Sequence, residues 1–181
     1  QPVFTVLGTA LFNTFLLAAC AAVLTWALAV PLGILAAVRQ GTWVDRLSGA
    51  VAFVGISVPE VFLALLLLLL AAETGWFPTG GMRSLNYEEL SAGRKALDLL
   101  HHLFLPSLVL ATVPLAGRMR QMRASLLDVL RADYVTTARA KGLPERTVIL
   151  KHAVRNAINP LITLFGYTLG TLLSGAFLVE V

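Results

Sequence analysis

Residues 1–38 read QPVFTVLGTALFNTFLLAACAAVLTWALAVPLGILAAV and contain no Asp, Glu, Lys or Arg. About 20 consecutive apolar residues suffice to cross the hydrocarbon core of a bilayer, and this run exceeds that. It is too long for a signal-peptide core and has no basic leader, so it reads as a retained membrane helix. Taken over 6–38 at about 1.5 Å per residue, the helix would be about 50 Å long and should tilt or project from the bilayer.

Working outward, residues 156–179 form a second charge-free stretch. The 181-residue chain is 57% hydrophobic and only 13% charged, with a mean hydropathy of +0.81, which removes the water-soluble classes. Four spanning helices are predicted, over 6–38, 48–72, 103–120 and 160–179. The second carries Pro59 and Glu60, and the third is twice interrupted, by Pro106 and Pro114. Alternating apolar and polar residues are absent, which argues against a β-barrel. The expected fold is all-α, a polytopic transmembrane bundle. The lone Cys20 can form neither an intrachain disulfide nor a thiolate metal site, and reads as a small apolar filler.

Charge orients the spans. The loop at 118–159 carries nine basic residues against Asp128, Asp133 and Glu145, and the turn at 39–47 has Arg39 and Arg46 against Asp45. Basic loops stay cytoplasmic, whereas the loop at 73–102 is slightly acidic and belongs outside. The same tendency accounts for the net charge of +4 without invoking nucleic acid. Gln1 then falls outside, which implies a further span before it. With no initiating Met and an end just past an apolar run, the chain reads as one transmembrane domain, 1–181, cut at both ends. In the outer loop, Trp76 and Phe77 suit an interfacial anchor or contact with an external partner.

The cytoplasmic segment 124–159 has a helical pattern of its own. Leu126, Leu130, Tyr134 and Ala138 recur at i, i+4, with Leu127 and Val135 widening the apolar face. Gly142 should end this helix. Pro144 and Glu145 suit the first turn of a second. Two short helices are therefore expected, over 126–141 and 144–158, meeting at a bend with the small residues Ala138, Ala140 and Gly142. Pattern alone leaves two readings open: an amphipathic pair lying on lipid, or a docking element for a cytoplasmic protein.

The run Asp133-Tyr134-Val135-Thr136-Thr137-Ala138-Arg139-Ala140-Lys141-Gly142-Leu143-Pro144-Glu145-Arg146 resembles the coupling loop, or EAA loop, of ABC importer permeases. With His152-Ala153-Val154-Arg155-Asn156-Ala157 and Asn159-Pro160, it is similar to the oligopeptide, dipeptide and nickel branch. Thr136 and Thr137 stand where the general motif has Glu and Ala, and Val154-Arg155 replaces its later Leu-Pro. These departures are typical of the peptide branch. Pro31 to Ala37 with Gly41 and Asp45, Ser57-Val58-Pro59, Gly75-Trp76-Phe77-Pro78 and Ser174 to Glu180 extend the resemblance over nearly the whole chain.

This resemblance implies a type I importer permease, commonly of six helices, of which four are present here. It implies a second permease subunit, identical or related, two cytoplasmic ATPases and an extracytoplasmic substrate-binding protein. The setting would be the bacterial or archaeal cytoplasmic (inner) membrane. The cargo would be di- or oligopeptides, with nickel, glutathione-like compounds and oligosaccharides also carried within the branch. The ATPase-docking residues would be Tyr134, Thr136, Thr137, Ala138, Arg139, Ala140, Lys141, Gly142 and Leu143. The chain has no phosphate-binding Gly-rich Lys-Ser/Thr loop, so ATP and Mg are expected on the partner ATPase, with no cofactor, catalytic residue or metal ligand here.

Glu60 is a translocation-path candidate. An acid midway along a span should face protein or an aqueous path, either attracting a cation such as a peptide amino terminus or bonding a neighbouring helix. Asn13 and Thr14 could likewise hydrogen-bond between helices. A channel or secondary transporter subunit is the alternative function, but neither a filter sequence nor paired broken helices with ion-binding carboxylates is evident. An embedded metalloenzyme is disfavoured, because adjacent His101 and His102 cannot share a helix face and His152 lies on the opposite side.

Overall fold

The computed structural model describes the backbone over residues 3–177 and side chains over 8–170. The described residues form helices and turns with no strand: α1 (Val3–Val38), α2 (Trp43–Ser57), α3 (Glu60–Thr74), a 3-10 turn (Tyr87–Glu89), α4 (Ala92–Leu130), α5 (Asp133–Ala140), α6 (Glu145–Thr147), a π-helical stretch (Val148–Ala153), α7 (Val154–Ala157) and α8 (Asn159–Phe177). Among these residues, Gly8–Val38 and Ala92–Leu130 are long and apolar enough to cross a membrane, and three spans result if the bent pair α2–α3 is one. The fourth expected span, 160–179, begins in α8 and runs past the described residues.

The bundle is organised on α1 and α4. Ala21, Thr25, Ala29, Gly33 and Ala37 recur every four residues along α1 and are all buried. This spacing puts one small-residue stripe on one helix face, so two backbones can approach closely. Gly33 shows how closely: a Cβ there would lie 2.7 Å from both the Met119 carbonyl oxygen and the Met122 Cβ. The two helices run in the same direction, since Leu17 shares a cavity with the His102–Leu110 stretch while Gly33 meets Met119 and Met122.

The densest packing lies at the end of the bundle that carries α5. Ala37, Met122, Leu126, Val135, Val148, Ala157 and Leu161 form one buried cluster joining α1, α4, α5 and the start of α8. Elsewhere many large apolar side chains face outward: Phe12, Val23, Phe53, Val61, Leu65 and Leu69 are each at least 60% exposed. An apolar exterior on a helical bundle is what lipid or further protein would cover.

Two expectations need correction. The second span is not one helix over 48–72. Val58 is extended and Pro59 precedes α3, and α2 and α3 meet at 100°. The residue before a proline is driven out of the helical region, so the Val-Pro pair breaks what hydropathy reads as a single run. The third span, by contrast, is a helix as expected and extends beyond 103–120 at both ends. Pro106 and Pro114 lie inside the 39-residue helix α4; each deletes one backbone hydrogen bond, but packing against α1 and α2 holds the helix together. Finally, Thr14 donates to the Ala10 carbonyl of its own helix and not to another.

Candidate functional site

The bend expected to be cytoplasmic is built from the end of α4 onward. The expected helix over 126–141 is divided: α4 continues to Leu130, Arg131 closes it, and Ala132 is extended before α5 begins. The i, i+4 stripe therefore crosses a break. On α5 the buried residues are Val135 and Ala138, while Tyr134 is 44% exposed. The second helix runs over 145–157 as expected, but its middle, Val148–Ala153, is π-helical.

Gly142 ends α5 at φ +75°, a left-handed conformation that costs any residue with a Cβ about 1–2 kcal/mol. Leu143 N–H donates to the Ala138 carbonyl at 3.4 Å and Gly142 N–H to the Arg139 carbonyl at 2.9 Å. This pair of bonds is the Schellman arrangement, which satisfies the last carbonyls of the helix. Arg139 then locks the corner. Its guanidinium donates to the Glu145 carboxylate at 2.8–3.3 Å and to the Leu130 carbonyl at 3.5 Å, joining α4, α5 and α6. The Arg139 guanidinium holds the Glu145 carboxyl below its ordinary range. Asn156 donates to the Tyr134 hydroxyl at 3.0 Å and to the His152 carbonyl at 3.1 Å, fixing α5 against α7.

This frame decides which expected docking residues can touch a partner. Tyr134, Thr136, Thr137, Arg139, Ala140, Lys141, Gly142 and Leu143 are exposed at the corner. Ala138 is 7% exposed and faces the core with Val135. Ala138 therefore shapes the bend from behind. The Cβ of a residue at 142 would meet nothing within 4 Å, so that position is open outward even though its backbone is strained for any side chain. Glu60 lies apart from this corner, at the first residue of α3 immediately after the Val58-Pro59 break. It is exposed and makes no hydrogen bond or ion pair among the described residues.

One arrangement was not legible in advance. Asp45 and Arg123 form a two-pronged pair, Nε to Oδ1 at 2.6 Å and Nη2 to Oδ2 at 2.8 Å, and Gly41 N–H donates to the same carboxylate at 3.0 Å. The pair ties the α1–α2 turn to α4 across 78 residues of sequence. The only sequence signal was a single acid in a basic turn. At the opposite end of the bundle, Phe77 stacks on Phe104 at 5.5 Å and His101 Nε2 lies 2.9 Å from the Trp76 carbonyl. That loop is therefore pinned to the start of α4, with Trp76 itself 72% exposed. Among the described residues no group of three or more His, Cys, Asp or Glu could hold a metal ion.

Residues 29–181 match the family described as the binding-protein-dependent transport system inner membrane component. The chain belongs to this family. It is 39% identical over 180 residues to the oligopeptide transport system permease protein AppB of Bacillus subtilis (strain 168), covering 99% of this chain and 55% of that protein. It is 41% identical over 162 residues to the di/tripeptide transport system permease protein DppB of Pseudomonas aeruginosa (strain UCBPP-PA14), covering 82% and 48%. Against the dipeptide transport system permease protein DppB of Escherichia coli (strain K12), it is 35% identical over 185 residues, covering 92% and 54%. The chain thus spans about half the length of the curated relatives it matches. As an inner membrane component of this family, it presents at one end of the bundle a corner with open small residues and a rigid backing.

Proposed function

We propose that this chain is the core of a permease subunit in an ATP-driven, binding-protein-dependent importer of di- or oligopeptides. The observation that carries the reading is the corner at 133–145. It is a short helix ended by a Schellman turn, clamped by Arg139–Glu145, and exposed at Thr136, Thr137, Ala140, Lys141 and Leu143. The similarity to proteins named as peptide permeases supports the cargo class.

In this reading the corner sits in a groove on a cytoplasmic ATPase, where ATP and Mg are bound and hydrolysed. The second permease subunit completes the path, and an extracytoplasmic binding protein delivers the peptide. The corner's buried backing is continuous with α1, α4 and α8, so displacing it reorients the helices as a unit. Such a switch requires ATP to bind the two conformations with different affinity. The segment 124–159 is then the coupling loop within a single transmembrane domain. Glu60, at the break in the second span, would attract a cationic group of the cargo.

The test is uptake of labelled dialanine into proteoliposomes carrying the intact parent protein with its partner permease, ATPases and binding protein. ATP-dependent accumulation that stops when the ATPases are omitted is the expected result. Uptake independent of ATP, or of the binding protein, would overturn the reading.

A further inference from the structure

Arg118 is a charge placed where a charge is difficult to keep. It lies on α4, five residues before the Arg123 that pairs with Asp45. It lines a cavity of about 250 Å³ bounded by α1, α4 and α8, with Ala18, Ala22, Thr25, Trp26, Pro114 and Thr168 among its walls. Its Nε is buried with no hydrogen-bond partner among the described residues, and its guanidinium carbon lies 5.7 Å from the centre of the Trp26 ring. Trp26 is itself held edge-on against Phe165 of α8, at 5.3 Å and 89°. The simple account of a basic residue near a helix end is that its stem lies along apolar surface while the head reaches water. That account fits poorly here. Trp26 is twelve residues before the end of α1, about 18 Å along the helix, and the guanidinium turns toward it. Arg118 makes no ion pair with any carboxylate among the described residues.

An arginine among apolar helices marks a functional path or a missing partner. Its planar fork matches a carboxylate with two parallel N–H bonds, and the indole face beside it tolerates the cation. The volume suits a small group entering end-on. We propose that this cavity is a subsite for the carboxylate of the transported peptide, held by Arg118 and reported by Trp26. The proposal rests on the peptide-importer reading and assigns that path an anion-binding residue between α1, α4 and α8.

Trp26 provides the readout. The intact parent protein and its partner subunits are placed in nanodiscs of neutral lipid, without binding protein or ATP, and titrated with dialanine or with dialanine C-terminal amide. Subtracting the Trp26→Phe variant isolates the emission of Trp26. Dialanine should change that emission saturably, with the amide needing at least roughly tenfold more, the loss expected when a charge-assisted bond is removed. Arg118→Gln should bring the acid to the level of the amide, and Arg118→Lys should restore part of the difference. A purely structural arginine would leave the acid-to-amide ratio unchanged. Equal midpoints for acid and amide in the unsubstituted protein would overturn the proposal without recourse to any variant. So would emission that follows added phosphatidylglycerol and ignores dialanine, since the cavity would then take a lipid headgroup. ATP-driven dialanine uptake, measured on the same preparation, separates the two levels. Uptake with equal acid and amide midpoints overturns the subsite alone, whereas absence of uptake overturns the importer reading beneath it.

Discussion

Two arginine–carboxylate pairs stand at the end of the bundle that carries the corner, and they differ in kind. Arg123–Asp45 joins residues 78 apart, with the Asp45 side chain 11% exposed and the Arg123 side chain 35% exposed. Arg139–Glu145 joins residues 6 apart, with side chains 41% and 56% exposed. The first pair lies beside the α1–α4 seam and holds elements that sequence separates. The second shapes a corner that must remain open to a partner. Breaking a sheltered pair by removing one member leaves a stranded charge, whereas exposed pairs contribute little to stability. The difference separates a frame from a contact surface, and substitutions should sort accordingly.

The largest loss is expected in the seam. Gly33→Leu puts side-chain atoms where even a Cβ meets the Met119 backbone oxygen at 2.7 Å. It should destabilise the purified parent protein by about 3 kcal/mol, the upper range for overpacking, seen as a fall in its thermal-unfolding midpoint in detergent. Asp45→Ala should come next, at about 2 kcal/mol. It strands Arg123, but that side chain is one-third exposed and solvent screens part of the cost. A double-mutant cycle with Arg123→Ala should show clear coupling, and additivity there would remove the pair from the frame.

At the corner the effects should be smaller and local. Gly142→Ala forces a Cβ into φ +75° and should cost about 1 kcal/mol. The change should appear as faster hydrogen exchange at Gly142 and Leu143, with little shift of the global midpoint. The Arg139–Glu145 pair should matter least to stability, and its pH dependence has a definite sign. The Glu145 carboxyl is depressed below its ordinary value of 4.5 by the Arg139 hydrogen bonds. Its contribution is therefore fully present above that value and disappears as pH falls through the lowered one. A thermal midpoint for Glu145→Gln that converges with the parent protein only at acid pH would match this. A difference that grows as the medium becomes acidic would not.

Much of the architecture was legible. The charge-free run at the start specified α1, and Gly142 and Pro144 marked the corner because a left-handed turn and a helix first turn each select their residue. What failed did so for physical reasons. Hydropathy cannot see backbone geometry, so Val58-Pro59 was absorbed into a single span. The helix over 103–120 was placed correctly through Pro106 and Pro114, but its full length was not, because the charged residues flanking the apolar core hide the continuation of α4 from hydropathy. The stripe through Leu126, Leu130, Tyr134 and Ala138 was extended across a break at Arg131-Ala132, which assigned Tyr134 to a face that Val135 occupies. The Asp45–Arg123 pair was invisible because only the folded chain brings those residues together. Ala138 illustrates the limit at the site itself. Its small size suggested close approach by a partner, but the structure turns it inward.

Substitution at Ala138 or Gly142 would disturb the corner itself, whereas Ala140 is exposed within it. The direct measurement is co-purification of the intact parent protein with its ATPase subunit, comparing Ala140→Trp with the unsubstituted protein. The account predicts that Ala140→Trp loses the ATPase while the thermal midpoint of the permease stays unchanged. Retention of the ATPase at parental yield would contradict the corner as the docking surface.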